Sequence, residues 1–168
     1  MPDKPEVAGA TPRCSLRPVA HADDAAIGTS LAQTYEAVAA GHLLRRHELG
    51  RTTVVYAQPR AAYFVVSHCG RIAGGGGFGP LAGARPEVCE LRDLWLLPEV
   101  RGRGAAFELV EHCLVVALAF GYRHGYAEIL HTLRPAAALL GRAGFSVLNQ
   151  PVGRSGRYLC DRWYLRDL

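Results

Sequence analysis

The sequence predicts a single mixed α/β domain. Three observations lead there: short strand-like runs recur along the chain, helical periodicity marks the segments around Ile27 and Leu109, and one strand passes through an arginine- and glycine-rich turn straight into the longer helix. A length of 168 residues suits one domain, since domains run to roughly 100–200 residues. Hydrophobic residues at 49% and charged residues at 20% are ordinary for a chain that buries a core.

Cys14 to Val19 reads as a short strand, with Pro18 marking an edge or an end. Asp23 and Asp24 offer a helix cap and an acidic first turn, and Ile27, Leu31, Tyr35 and Val38 follow at helical spacing until Gly41. Between Gly41 and Arg60 the pattern is weak, with a short helix expected around Leu43 to Leu49 and an extended piece at Thr52 to Tyr56. Tyr63 to His68 and Arg71 to Phe78 flank a Cys69-Gly70 turn and predict a hairpin, followed by a loop from Gly79 to Pro86. Glu87 to Leu97 is a long strand. Gly102 to Phe120 carries Ala106, Leu109, Val110, Cys113, Ala117 and Phe120 on one face, and Gly121 ends it. Tyr126 to His131 is a strand, Pro135 opens a helix that runs to Arg142, and Phe145 to Asn149 with Tyr158 to Leu165 form a last strand pair. The expected order is β α (α) β β β α β α β β, with residues 1–12 as a flexible leader and 13–168 as the domain.

Composition removes several classes of function. No apolar run approaches the ~20 residues of a membrane-spanning helix, and the N-terminus lacks the apolar block of a signal peptide. Five scattered cysteines without a C-x-x-C pair argue against a disulfide framework and a zinc cage, and for a reducing, cytoplasmic setting. Lys4 is the only lysine, so arginine carries nearly all the positive charge behind the net +4. A mildly basic surface favours an anionic small ligand. No basic run interleaved with aromatics suggests a nucleic-acid groove, no histidine spacing suggests a metal site, and no G-x-S-x-G elbow suggests a hydrolase.

Chemistry concentrates in Glu90 to Ala106, where the strand ends at Pro98-Glu99-Val100 and Arg101-Gly102-Arg103-Gly104 leads into the long helix. First-turn N–H groups have no partner inside a helix, the helix dipole adds positive potential, and glycine lets a phosphate oxygen reach the backbone. Arg101 and Arg103 add charge, so a diphosphate is the natural guest. A P-loop would need G-K-[ST], which is absent, and Phe107 stands where a dinucleotide fingerprint requires glycine. Gly74-x-Gly76-x-x-Gly79 matches that fingerprint literally but runs into Pro80 with no helix behind it, so it reads as a glycine-rich strand allowing close approach.

Arg101-x-x-Gly104-x-Ala106 resembles the [QR]-x-x-G-x-[GA] pyrophosphate loop of the GNAT superfamily of acyl-CoA-dependent N-acetyltransferases. The preceding Leu-Trp-Leu-Leu-Pro-Glu, the element order from Cys14 to Leu165 and the Ala-Gly-Phe at Ala143 to Phe145 are similar to that family as well. The resemblance implies a mostly antiparallel central sheet of about seven strands flanked by helices, with acetyl-CoA as cosubstrate and no metal. It implies a pyrophosphate on Arg101, Gly102, Arg103, Gly104, Ala105 and Ala106, and a pantetheine arm along Trp95, Leu96 and Leu97, where two strands splay in the family. An amine would attack the thioester directly, helped by a base and a backbone N–H that polarises the carbonyl.

Glu90 stands eleven residues before Arg101, the offset at which several protein-directed members place their glutamate base; the competing reading is a solvated strand residue or a partner of Arg92 or Arg71. Asp93 falls on the opposite face of a regular strand unless a bulge changes the alternation. The chain departs from the family in its fourth helix, where Leu133 and Leu140 occupy the positions of the asparagine that holds CoA and the tyrosine that protonates the thiolate. Tyr158, Cys160 and Tyr126 are the replacements for that acid, Tyr158 foremost. Tyr35, Tyr56 and Tyr63 are candidates to line the acceptor groove, and His112 is expected to face solvent or Glu108. The reading is an N-acetyltransferase acting on an amine of a small molecule or protein, with a homodimer left open. A non-catalytic acyl-CoA-binding or regulatory module is the alternative, and a nucleic-acid binder a weaker third.

Overall fold

The computed structural model describes residues 14–38, 40, 48–157 and 159–168. The expected leader over residues 1–12, residues 43–47 of the short helix expected at residues 43–49, and Tyr158 lie outside them. The described chain forms one seven-stranded sheet in the order β1-β2-β3-β4-β5-β7-β6. Its strands are β1 (Ser15–Pro18), β2 (Ala62–His68), β3 (Arg71–Pro80), β4 (Val88–Leu96), β5 (His124–Ile129), β6 (Ser146–Leu148) and β7 (Arg162–Asp167). Its helices are α1 (Asp24–Ala37), α2 (Thr52–Val55), α3 (Ala105–Ala119) and α4 (Arg134–Arg142). Every pairing is antiparallel except β4 with β5. Apart from α2, which falls on a segment expected to be extended, this is the element order expected from the sequence, with strand ends shifted by a few residues and β3 carried on to Pro80.

One core packs α3 against the sheet through Leu109, Val110, Cys113, Leu114 and Ala117, facing Phe64, Val66, Phe78 and Leu91. A second packs Ile27 and Leu31 of α1 over Tyr56, Tyr63, Val65 and Trp95 on the other face. His112 packs edge-on against Phe64 with ring centroids 4.4 Å apart, which corrects the expectation that it faces solvent or Glu108. All five cysteines are free thiols.

The segment Thr52–Val55 is a helical turn and not the extended piece its β-branched residues suggested. The Asp24 carboxylate captures the Thr53 backbone N–H at 2.8 Å and also takes the Thr53 hydroxyl. A buried charged acceptor at the start of α1 outweighs strand propensity, which spans only about 1 kcal/mol.

Close approach explains the glycines of β3. A Cβ on Gly77 would lie 2.4 Å from the Ala62 carbonyl oxygen and 2.6 Å from the Tyr56 ring, and one on Gly75 would lie 2.6 Å from the Tyr63 hydroxyl. The two tyrosines lie flat on a strand that has no side chains to displace them. Gly77→Ala should therefore lower unfolding free energy by about 1–3 kcal/mol in urea denaturation, as overpacking against fixed backbone does. An unchanged midpoint would mean that β3 yields without cost.

Candidate functional site

β4 and β5 lie side by side for three residues, Val88, Cys89 and Glu90 against His124, Gly125 and Tyr126, and the parallel register ends there. Beyond it β4 keeps its other neighbour β3 up to Leu96, while β5 keeps β7 up to Ile129. The edges of β4 and β5 that face each other open on a cavity of about 640 Å³. Leu94 and Leu96 of β4, Ala127 and Glu128 of β5, and Leu133 and Leu140 of α4 are among the residues that line it.

One mouth of the cavity is the turn into α3. Arg101, Gly102, Gly104 and Ala106 line it, while Arg103 is exposed and Ala105 is packed into the core. Gly102 and Gly104 take φ of 72° and 85°, and no atom lies within 4 Å of where a Cβ would sit on either. The first helical N–H with a carbonyl partner is that of Glu108, which reaches Gly104 O at 3.0 Å, so the amides of the first turn point outward unpaired. Arg101 Nε holds the turn against β4 by donating to Leu96 O at 2.9 Å. Arg142, at the end of α4, stands over the Phe107 ring at 5.2 Å and also lines the cavity. Open amides, a vacant backbone cradle and guanidinium groups fit a diphosphate. Trp95 and Leu96 line the passage from there along β4; Trp95 is anchored by its indole N–H to Tyr63 Oη at 2.7 Å, and the Leu97 N–H is bonded to Ala73 O at 2.8 Å.

The other end of the cavity holds charge. Gly77 pairs with Arg92 and Gly75 with Trp95, so Asp93 and Leu94 together face the single residue Gly76, a β-bulge with Asp93 at φ 56°. The bulge changes the alternation. Glu90 and Asp93, expected on opposite faces of a regular strand, both meet the guanidinium of Arg157, at 3.5 Å from Nε and 3.0 Å from Nη2. Tyr56 donates to the other oxygen of Asp93 at 2.7 Å. Burial alone would lower the Arg157 pKa, and the negative charges of Asp93 and Glu90 outweigh it and raise it. Burial pushes the Tyr35 phenol on the cavity wall up to about 12, keeping it neutral, and burial also raises the Tyr56 and Tyr63 phenols well above the usual value.

Glu90 is 2% exposed and stands behind the wall, facing Arg157. Glu128, which the sequence reading did not single out, is on the wall itself. Desolvation and the nearby charge of Glu90 raise its pKa to about 6. Its Oε2 accepts a bond from Tyr126 at 3.3 Å, its Oε1 is buried, and the Trp163 side chain also acts on the carboxylate, drawing its pKa down. Register connects these groups: Glu90 pairs with Tyr126, so Tyr126 and Glu128 share its face of the sheet. Of the proposed replacement acids, Tyr126 is thus engaged with Glu128, and Cys160 packs beside Ala40 with its thiol pKa pushed up to about 11 by burial. Tyr35, a candidate for the acceptor groove, lines the cavity, whereas Arg157 was within reach only through spatial proximity. Among the described residues no group of three or more metal-ligating side chains is assembled, and no helix is long and apolar enough to cross a membrane.

Comparisons with known proteins agree with this geometry. Residues 42–145 match the Acetyltransferase (GNAT) family. The chain is 34% identical over 128 residues to the uncharacterized N-acetyltransferase YjgM of Escherichia coli K12, covering 76% of this chain and 77% of that protein. Among solved structures, a GNAT-family acetyltransferase of Staphylococcus aureus Mu50 superimposes with a TM-score of 0.82 at 12% identity, over 93% of this chain and 99% of that one. A GNAT-superfamily phosphinothricin acetyltransferase of Sinorhizobium meliloti in complex with acetyl-CoA gives 0.71 at 21% identity, over 92% and 88%. With the strand separation, the turn into α3 and these matches together, the chain belongs to the GNAT family of acetyltransferases.

Proposed function

We propose that the protein transfers an acetyl group from acetyl-CoA to an amine that enters the charged end of the cavity. The observation that carries this reading is the opening between β4 and β5, which runs from the unpaired amides of α3 to the carboxylates of β4 and β5. The diphosphate sits on the backbone from Arg101 to Ala106, as it suits a helix start with open glycines, and the pantetheine arm follows Trp95, Leu96 and Leu97. Support comes from a GNAT neighbour described in complex with acetyl-CoA. When bound, the thioester supplies the electrophilic carbonyl, and its thiolate leaves as the amine nitrogen forms the new amide bond.

The chain's own contribution is to move the proton. An acceptor amine arrives as an ammonium and must lose a proton before it can attack. Glu128, whose side chain lines the cavity, takes that proton, and its pKa of about 6 leaves it ionised at neutral pH and basic enough for the task. Glu90, the base expected from the sequence, forms the other half of this carboxylate pair, its negative charge raising the basicity of Glu128. Tyr158 is the sequence's nominee for returning a proton to the thiolate. A non-catalytic acyl-CoA module is favoured by one observation, that Leu133 and Leu140 line the cavity without a polar group; amine-dependent release of free thiol separates the two.

The roles of the carboxylates differ in their pH profiles. With one amine throughout, so that its own titration cancels, kcat/KM should show an acid limb near pH 6, rising as Glu128 ionises. Glu90→Gln removes the negative charge that raises Glu128, so the limb moves to lower pH. Glu128→Gln should lose about 100-fold or more, the usual contribution of a general base. Turnover within twofold of wild type in Glu128→Gln would defeat the assignment, and a 100-fold loss confined to Glu90→Gln would transfer the role to Glu90.

A further inference from the structure

Gly74 and Gly76 take no part in the chemistry above, yet they shape the cavity. They fall on one face of β3, the face that meets α3. A Cβ on Gly76 would overlap Leu94 Cδ2 and lie 3.3 Å from Leu109 Cδ2, and one on Gly74 would overlap Leu96 Cδ2. Leu94 and Leu96, which line the cavity, thus lay their tips back over β3, in room that side chains there would otherwise fill. Turned the other way they would narrow the gap toward β5.

Across that gap stands Ala127, the first residue of β5 beyond its register with β4, and it belongs to the core under α3. Glu128 follows it and takes the opposite face. Leu133 and Leu140 of α4 close the same side, Leu140 packed in the core and Leu133 half-buried. The cavity therefore passes through the sheet between unlike walls, with the carboxylates on the face of α1 and aliphatic side chains on the face of α3. A thioester carbonyl in the gap, open to an amine on the charged side, directs its alkyl group toward the aliphatic side. Aliphatic walls around empty space forfeit dispersion contacts, and a single methyl restores few of them.

We propose that the acyl group of the donor is a saturated chain of three or four carbons, seated between Leu94 and Ala127 against Leu140. The seat rests on the reading of the donor along β4, and its use in turnover on the transferase reading. Bond making is that of acetyl transfer: the amine nitrogen bonds to the carbonyl carbon, the C–S bond breaks, and the thiolate leaves with the electron pair. Of the two protons the ammonium gives up, the first goes to Glu128 and the second, released as the amide forms, neutralises the thiolate.

Calorimetry of butyryl-CoA against acetyl-CoA on the intact protein reads the seat without turnover, and the ratio of kcat/KM for the two donors with one amine reads its use. Each methylene taken out of water is worth about fourfold in affinity, so butyryl-CoA should bind wild type at least fivefold more tightly than acetyl-CoA. Ala127→Leu fills the seat from β5, and Gly76→Ala pushes Leu94 into it from β4; in each the butyryl-to-acetyl affinity ratio should fall at least fivefold. Gly76→Ala combined with Leu94→Ala makes room again and should bring the ratio to within twofold of wild type, a rescue that general damage to the fold would not give, and it serves if a single variant does not fold. Butyryl-CoA bound no more tightly than acetyl-CoA by wild type, or a ratio that Gly76→Ala and Ala127→Leu leave untouched, overturns the proposal. Preference for butyryl-CoA that depends on these residues, without acylation of any amine, supports the seat and overturns the transferase reading. Failure of both thioesters to bind overturns the seat and the donor reading together.

Discussion

The parting of β4 from β5 after three paired residues is the constraint on which the site depends. Sheet strands lose hydrogen bonds when they separate, and the backbone groups so exposed need other partners. Here the separation leaves main-chain edges facing a cavity that joins two unlike surroundings: the open amides and glycines of the turn into α3 at one end, and a nest of carboxylates and guanidinium groups at the other. Neither end would serve alone. An anion seat at a helix start is common in proteins, and a buried ionic cluster is as often structural as chemical.

The bulge in β4 is the second device. By placing two residues opposite Gly76 it turns Asp93 onto the side already occupied by Glu90, and Arg157 then joins both to the last loop. Buried ion pairs of this kind add little net stability, yet removing one partner typically costs 3–5 kcal/mol. The loop before β7 is thereby held over the charged end of the cavity. The glycines of β3 belong to the same arrangement, since Tyr56 reaches Asp93 only because Gly77 leaves its ring room to lie on the strand.

Much of this was legible in the sequence. The joint at Arg101 to Ala106 could be read because its chemistry is local: strand, glycine turn and helix start are contiguous, and the helix behind them has strong periodicity. The departures at Leu133 and Leu140 were equally local, and both residues line the cavity. What escaped depends on contacts across the fold. Arg157 lies 67 residues from Glu90 and carries no pattern of its own; Glu128 looks like any polar residue in a strand until β4 leaves it facing a cavity. The face of Asp93 turned on a bulge that period-two alternation cannot foresee, and Thr52–Val55 was misread because its helical turn is held by Asp24, 29 positions from Thr53.

Everything at the charged end presupposes that a thioester carrier lies along β4 with its linked phosphates on α3. Calorimetric comparison of acetyl-CoA with acetylpantetheine, which shares the thioester and arm but lacks the diphosphate, measures that directly. Acetyl-CoA should bind at least 100-fold more tightly, the sum of two or more charge-assisted hydrogen bonds at about 1.5–3 kcal/mol each. Equal affinities would contradict the account, because the amides at the start of α3 would then be holding nothing.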